Sequence, residues 1–244
     1  MRPPLVLRSP RPLPASRLSR APLPLRAAAA LAAVAALATG CASADAWSGP
    51  HASPTPVGAL GPGFVDPSAS PTPEATVTPR PGSWDDVHPP TGYRVVLVTA
   101  GDDRPTTALV TAVQNWAKEE GVDLRTVTAD DPTRHVAALT RAMDMDPDLV
   151  VTAGNDLVDP LAAVSPSHLD QRFLVVGAEL AEPTENVTAA DWTGASFRGE
   201  GLGMSSAYDA RSFTAARCAA AVRAGVAAVL NGLTGIVLWL DDVK

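Results

Sequence analysis

Short, unbroken apolar runs separated by stretches of helical periodicity constrain the fold of this chain more than any other feature. Val95-Val96-Leu97-Val98, Leu149-Val150-Val151 and Phe173-Leu174-Val175-Val176 show no polar alternation, as expected of strands covered on both faces. After the first run, Leu109, Ala112, Val113 and Trp116 recur at helical spacing, and Gly121 supplies a C-terminal stop. Leu124 to Thr128 reads as the next strand. Asp131-Pro132 then caps a helix with Val136, Leu139 and Met143 on its inner face, stopped by Pro147. Asp148 to Thr152 and Phe173 to Val176 are strands separated by a short helix near Asp159-Pro160. Val187 to Trp192 is a further strand, and an alanine-rich helix from about Ser212 to Leu230 precedes a last strand, Ile236 to Leu240. This alternation predicts an α/β fold: a single doubly wound parallel sheet with helices on both faces.

The chain before Tyr93 has a different character. Eleven prolines fall between Cys41 and Pro90, against six from Gly92 onward. Proline lacks the amide donor and biases its predecessor to extended backbone, so residues 41–91 are expected to be a disordered linker and 92–244 the folded domain. Trp84 is the aromatic in this stretch that could dock on the domain. Residues 1–40 have the layout of an export signal: six arginines and no acid, then the apolar run Ala27 to Ala38, too short for a permanent membrane span. Leu37-Ala38-Thr39-Gly40-Cys41 resembles the lipobox of bacterial lipoproteins. Cys41 is the expected lipidation site, and the mature chain is expected to be extracytoplasmic, anchored to the cell membrane by acyl chains on Cys41.

Removing the six leader arginines from 19 basic residues leaves 13 against 26 acidic ones, a balance that disfavours nucleic acid as a partner. The four histidines are scattered without the spacing of a metal site, and no cofactor motif is present. Cys218 lies in an alanine-rich helical pattern and reads as a small buried hydrophobe. Asn186-Val187-Thr188 reads as strand sequence, and Gly199-Glu200-Gly201-Leu202-Gly203 as a flexible loop. No nucleophile, base and orienting group can be assembled, so an enzyme is not expected.

In an open parallel sheet, ligands bind outside the carboxyl ends of the strands. Three loops fall there: Gly101-Asp102-Asp103, Gly154-Asn155-Asp156 and Gly177-Ala178-Glu179. Asp103, Asn155, Asp156 and Glu179 are therefore the candidate ligand-binding residues, since their carboxylates and amide can hold hydroxyl or amino groups. The same residue types also serve as helix caps, and that structural reading stands beside the functional one.

Asp148-Leu149-Val150-Val151-Thr152-Ala153-Gly154-Asn155-Asp156, Phe173-Leu174-Val175-Val176-Gly177 and Asn186-Val187-Thr188 together resemble the basic membrane protein family, substrate-binding lipoproteins of ABC transporters. The resemblance covers about Tyr93 to Asp191. It implies a lobe of the type I periplasmic-binding-protein fold, a small nucleoside-like ligand and an ABC permease as partner. After its first strand the family carries an Asp-x-Ser-Phe-Asn pattern, whereas this chain reads Asp103-Arg104-Pro105-Thr106-Thr107, with only Asp103 in common. The stacking aromatic is missing there, and Trp192 is the candidate to replace it. Residues 92–244 build one lobe where the family has two, so the alternative is an envelope or interaction lipoprotein that keeps the fold without the pocket.

Overall fold

The computed structural model describes Trp47, Gly49 and residues 51–243, all within a compact unit that begins at Asp45; the expected signal peptide and Cys41 lie outside the described residues. Seven parallel strands form one sheet: β1 (Thr76–Val77), β2 (Arg94–Thr99), β3 (Asp123–Thr128), β4 (Leu149–Ala153), β5 (Phe173–Val176), β6 (Val187–Asp191) and β7 (Val237–Trp239). Their order is β1-β7-β6-β5-β4-β2-β3. Helices α1 (Arg104–Glu120) and α4 (Ala215–Leu230) cover one face, packing on Val95, Leu97, Val151 and Leu174. Helices α2 (His135–Met143) and α3 (Val158–Val164) cover the other, on Val96, Val98, Val150 and Val175. All residues of β2, β4, β5 and β6 are buried, which is why these strands show no polar alternation. The sheet is doubly wound, as the alternation of apolar runs and helices predicts.

Local sequence explains the helix limits. Asp103 caps α1 by accepting from the Thr106 amide at 3.1 Å, Pro105 stands in the first turn, and Gly121 closes the helix at φ 68°. Leu109, Ala112, Val113 and Trp116 are buried as the spacing predicts. In α2 the inner face is His135, Ala138, Leu139 and Ala142, while Val136 is exposed; the approach to the helix is a short 3-10 turn, Pro132–Arg134, which rotates the face from the one expected. A second 3-10 turn over Ala210–Ser212 likewise moves the start of α4 to Ala215, behind the Thr214 cap. Gly225 lets α4 settle on the sheet: a β-carbon there would stand 2.5 Å from Leu174 Cδ1.

Residues 57–91 are a correction to the expected disordered linker. Phe64, Trp84 and Val87 are buried in the same core as α1 and α4, with Phe64 and Trp84 edge to face at 6.5 Å. Val57 bridges His88, and β1 extends the sheet by pairing Thr76 with Val237 and Val77 with Leu238. Its prolines flank the pairing residues, so the missing amides cost the ladder nothing. The folded unit therefore begins well before residue 92, and the docking expected of Trp84 is shared by Phe64, Val87 and β1.

Asn186 is fully buried, and its side-chain amide donates to the carbonyls of Ser165, His168 and Gln171, fastening the α3–β5 connection to the start of β6. Cys218 is buried in α4, and burial pushes its thiol up to about 11. Among the described residues no helix is long and apolar enough to cross a membrane.

Candidate functional site

The strand order fixes where a crevice can open. From β2 the chain moves outward to β3 and then returns to the other side of β2 for β4, so the connections leaving β2 and β4 diverge onto opposite faces of the sheet. At this switch point the loops 101–103 and 154–156 face one another. Gly154 has φ 115°, and a β-carbon on it would collide with the Ala100 carbonyl oxygen, so glycine is required for the two loops to approach.

A cavity of about 170 Å3 lies there, lined by Asp103, Thr106, Asn155, Asp156, Tyr208 and Phe213 among others. Three of the four candidate residues are thus brought together. They are not equally available. Both Asp103 oxygens are engaged by Thr106, through its amide at 3.1 Å and its hydroxyl at 2.8 Å. Asp156 is exposed and its carboxylate has no hydrogen-bond partner among the described residues; its carbonyl accepts from His135 Nδ1 at 3.1 Å in the tautomer that protonates that nitrogen. Burial, with the Asp103 charge second, raises the Tyr208 phenol above its ordinary value, leaving it a neutral donor at the mouth.

Glu179 is placed elsewhere. It follows β5, pairs with Arg198 Nε at 3.0 Å, and accepts from the Ser205 hydroxyl at 3.1 Å. It lines a separate cavity of about 510 Å3 with Glu74, Thr78, Arg198 and Trp239. The four residues therefore do not form one site. Trp192 is not a stacking surface either: it is fully buried, donates its indole N–H to Ser212 Oγ at 2.9 Å, and backs Phe213 edge to face at 5.0 Å. The accessible ring is Tyr208, 6.0 Å from Phe213. Nothing in its local sequence marks it, because it reaches the crevice from a loop about fifty residues beyond Asp156.

That loop, residues 193–212, lies over the strand ends on a set of carboxylates. Thr193 donates its amide and hydroxyl to Asp241 at 2.7 Å each, Glu200 donates its amide to Asp159 at 3.0 Å, and Ser205 reaches Glu179. Asp191, at the end of β6, is fully buried; its Oδ1 accepts from the Trp192 and Ser196 amides at 2.8 and 3.0 Å, and its Oδ2 has no partner. Burial pushes this carboxyl up to about 7, with the neighbouring Glu179 and Asp241 charges adding to the rise against the two amide hydrogen bonds. Among the described residues no cluster of His, Cys, Asp or Glu could hold a metal ion.

No family model and no curated protein matches the chain. Solved structures that resemble it include an ABC transporter solute-binding protein from Aeropyrum pernix K1 (23% identity over 41% of this chain and 29% of that one, TM-score 0.37). Another, from Conexibacter woesei DSM 14684, has 21% identity over 41% of this chain and 35% of that one, TM-score 0.35. A fragment from Peptoclostridium difficile 630 named as a lipoprotein has 15% identity over 57% of this chain and 98% of that one, TM-score 0.41. The matched part thus spans well under two thirds of either solute-binding protein. The resemblance to the basic membrane protein family rests on the short segments quoted above.

Proposed function

We propose that this chain is an extracytoplasmic, lipid-anchored module that captures a small polyhydroxylated solute in the switch-point crevice and hands it to an ABC permease. The observation that carries the reading is the convergence of Asn155, Asp156 and the Tyr208 phenol on one cavity at the junction of β2 and β4. A carboxylate without a partner, an amide and a neutral phenol offer acceptors and donors to a ring of hydroxyl groups, and Phe213 supplies an apolar wall. A cavity of about 170 Å3 falls below the roughly 300 Å3 at which drug-sized pockets begin. A single sugar ring is the matching size. A whole nucleoside, the ligand implied by the family resemblance, requires the 193–212 loop to carry Tyr208 outward.

One observation favours the second reading, an envelope interaction module: Asp103 spends both oxygens on capping α1. A thermal-shift screen of the intact chain against pentoses, hexoses and nucleosides separates the two. Stabilisation by a member of this set supports capture; a flat response to all of them supports the interaction module.

A further inference from the structure

Where the chain enters the folded unit is set by an unusually well-held residue. Trp47 is buried on the α2 face beside β3, with the Arg125 guanidinium 4.1 Å and the Arg94 guanidinium 5.8 Å from its ring. Its indole N–H donates to Asp123 at 2.6 Å. Arg94 in turn donates to the carbonyls of Trp47 and Gly49, at 3.3 and 3.4 Å, and His51 meets Asp148 at 2.6 Å. Arg94 and Asp123 are the first residues of β2 and β3, and Asp148 immediately precedes β4. Trp47, Gly49 and His51 therefore lie at the starts of β3, β2 and β4, at the opposite end of the sheet from the crevice.

We infer that, on the anchored reading of Cys41 proposed above, this clamp turns the strand-start edge of the domain toward the bilayer and holds the crevice away from it. Six residue steps separate Cys41 from Trp47, a reach of at most about 20 Å for any conformation of the chain. A folded unit of this length is about 40 Å across. The tether is too short to pass around the domain, so the crevice cannot be turned to the lipid while Trp47 is seated. At the strand-start end the exposed acids Asp144, Asp146, Asp170 and Glu185 outnumber the exposed Arg141 and Arg172, a mixed surface without the basic cluster that adsorbs to anionic headgroups, so the orientation comes from the tether. The arrangement presents the crevice to passing solutes, and delivery to a permease at the membrane surface requires Trp47 to leave its seat.

Energy transfer to an acceptor dye on lipid headgroups tests this in proteoliposomes carrying the lipidated mature protein that starts at Cys41. Asp170→Cys and Leu202→Cys place a donor dye at the strand-start edge and on the loop over the strand ends; Cys218 is buried and the Cys41 sulfur is blocked as the thioether that carries the diacylglyceryl anchor. The inference predicts transfer from residue 170 at least twofold higher than from residue 202. Insertion of about twenty Gly and Ser residues between Ala44 and Asp45 leaves the clamp intact and lets the domain tumble, so the contrast should collapse. Equal or reversed transfer in the native tether overturns the orientation while leaving the anchor standing. A contrast that survives the insertion overturns the clamp as its cause. Absence of acyl mass on the peptide containing Cys41 overturns the anchor, and the orientation with it.

Discussion

The Ala100 carbonyl and Gly154 meet so closely that no side chain fits between them, and this contact defines the mouth of the crevice. Gly154→Ala must both abandon a backbone conformation reserved for glycine and push the β2 and β4 loops apart. We expect a loss of about 2–3 kcal/mol in stability, read from the urea midpoint. A variant as stable as the native chain would show that the loops do not need this approach.

Asp191 makes stability depend on pH. Its carboxyl is pushed up to about 7 in the fold, against an ordinary value of about 3.9 in the unfolded chain. The folded state holds the proton more tightly, so this contribution is fully present below about pH 4, declines as pH rises, and is lost above about pH 7. Asp191→Asn keeps an acceptor for the Trp192 and Ser196 amides without the titration. The variant should match the native chain near pH 4 and exceed it by roughly 2–4 kcal/mol at pH 8–9. Parallel stability curves for the two proteins would contradict the assignment.

The segment 57–90 behaves as part of the domain. Trp84→Ala empties a buried site and should cost about 3–5 kcal/mol. A chain started at Tyr93 loses Phe64, Trp84, Val87 and β1 together and should fail to fold cooperatively. Limited proteolysis of the native chain checks the same point: a protected fragment that begins near Trp47 is expected, and rapid cleavage between residues 64 and 84 would contradict it.

The sheet was legible because its strands are continuous apolar runs: Arg94–Thr99 and Phe173–Val176 fall where the residues alone place them. β1 was not, since two residues between Pro73 and Pro79 acquire strand geometry only from pairing with β7, about 160 positions away. Asp103, Asn155 and Asp156 were found through the rule of strand ends. Glu179 obeys the same rule and still lies outside the crevice, because the rule does not carry strand order. β5 stands beyond β4 from the switch point, and Arg198 draws Glu179 to another cavity. Tyr208 could not be found locally: its place depends on how Asp241, Asp159 and Glu179 hold its loop.

Calorimetric titration of the intact chain with ribose, hexoses and nucleosides, repeated with Asp156→Ala, tests capture in the crevice most directly. Asp156 suits the test because its carboxylate supports no other group in the fold, whereas Asp103 caps α1. A hydrogen bond to a charged group contributes roughly 1.5–3 kcal/mol, so binding should weaken about ten- to a hundredfold in the variant with its melting temperature unchanged. Absence of binding heat for every compound at millimolar concentration, or an affinity that Asp156→Ala leaves untouched, would contradict the account.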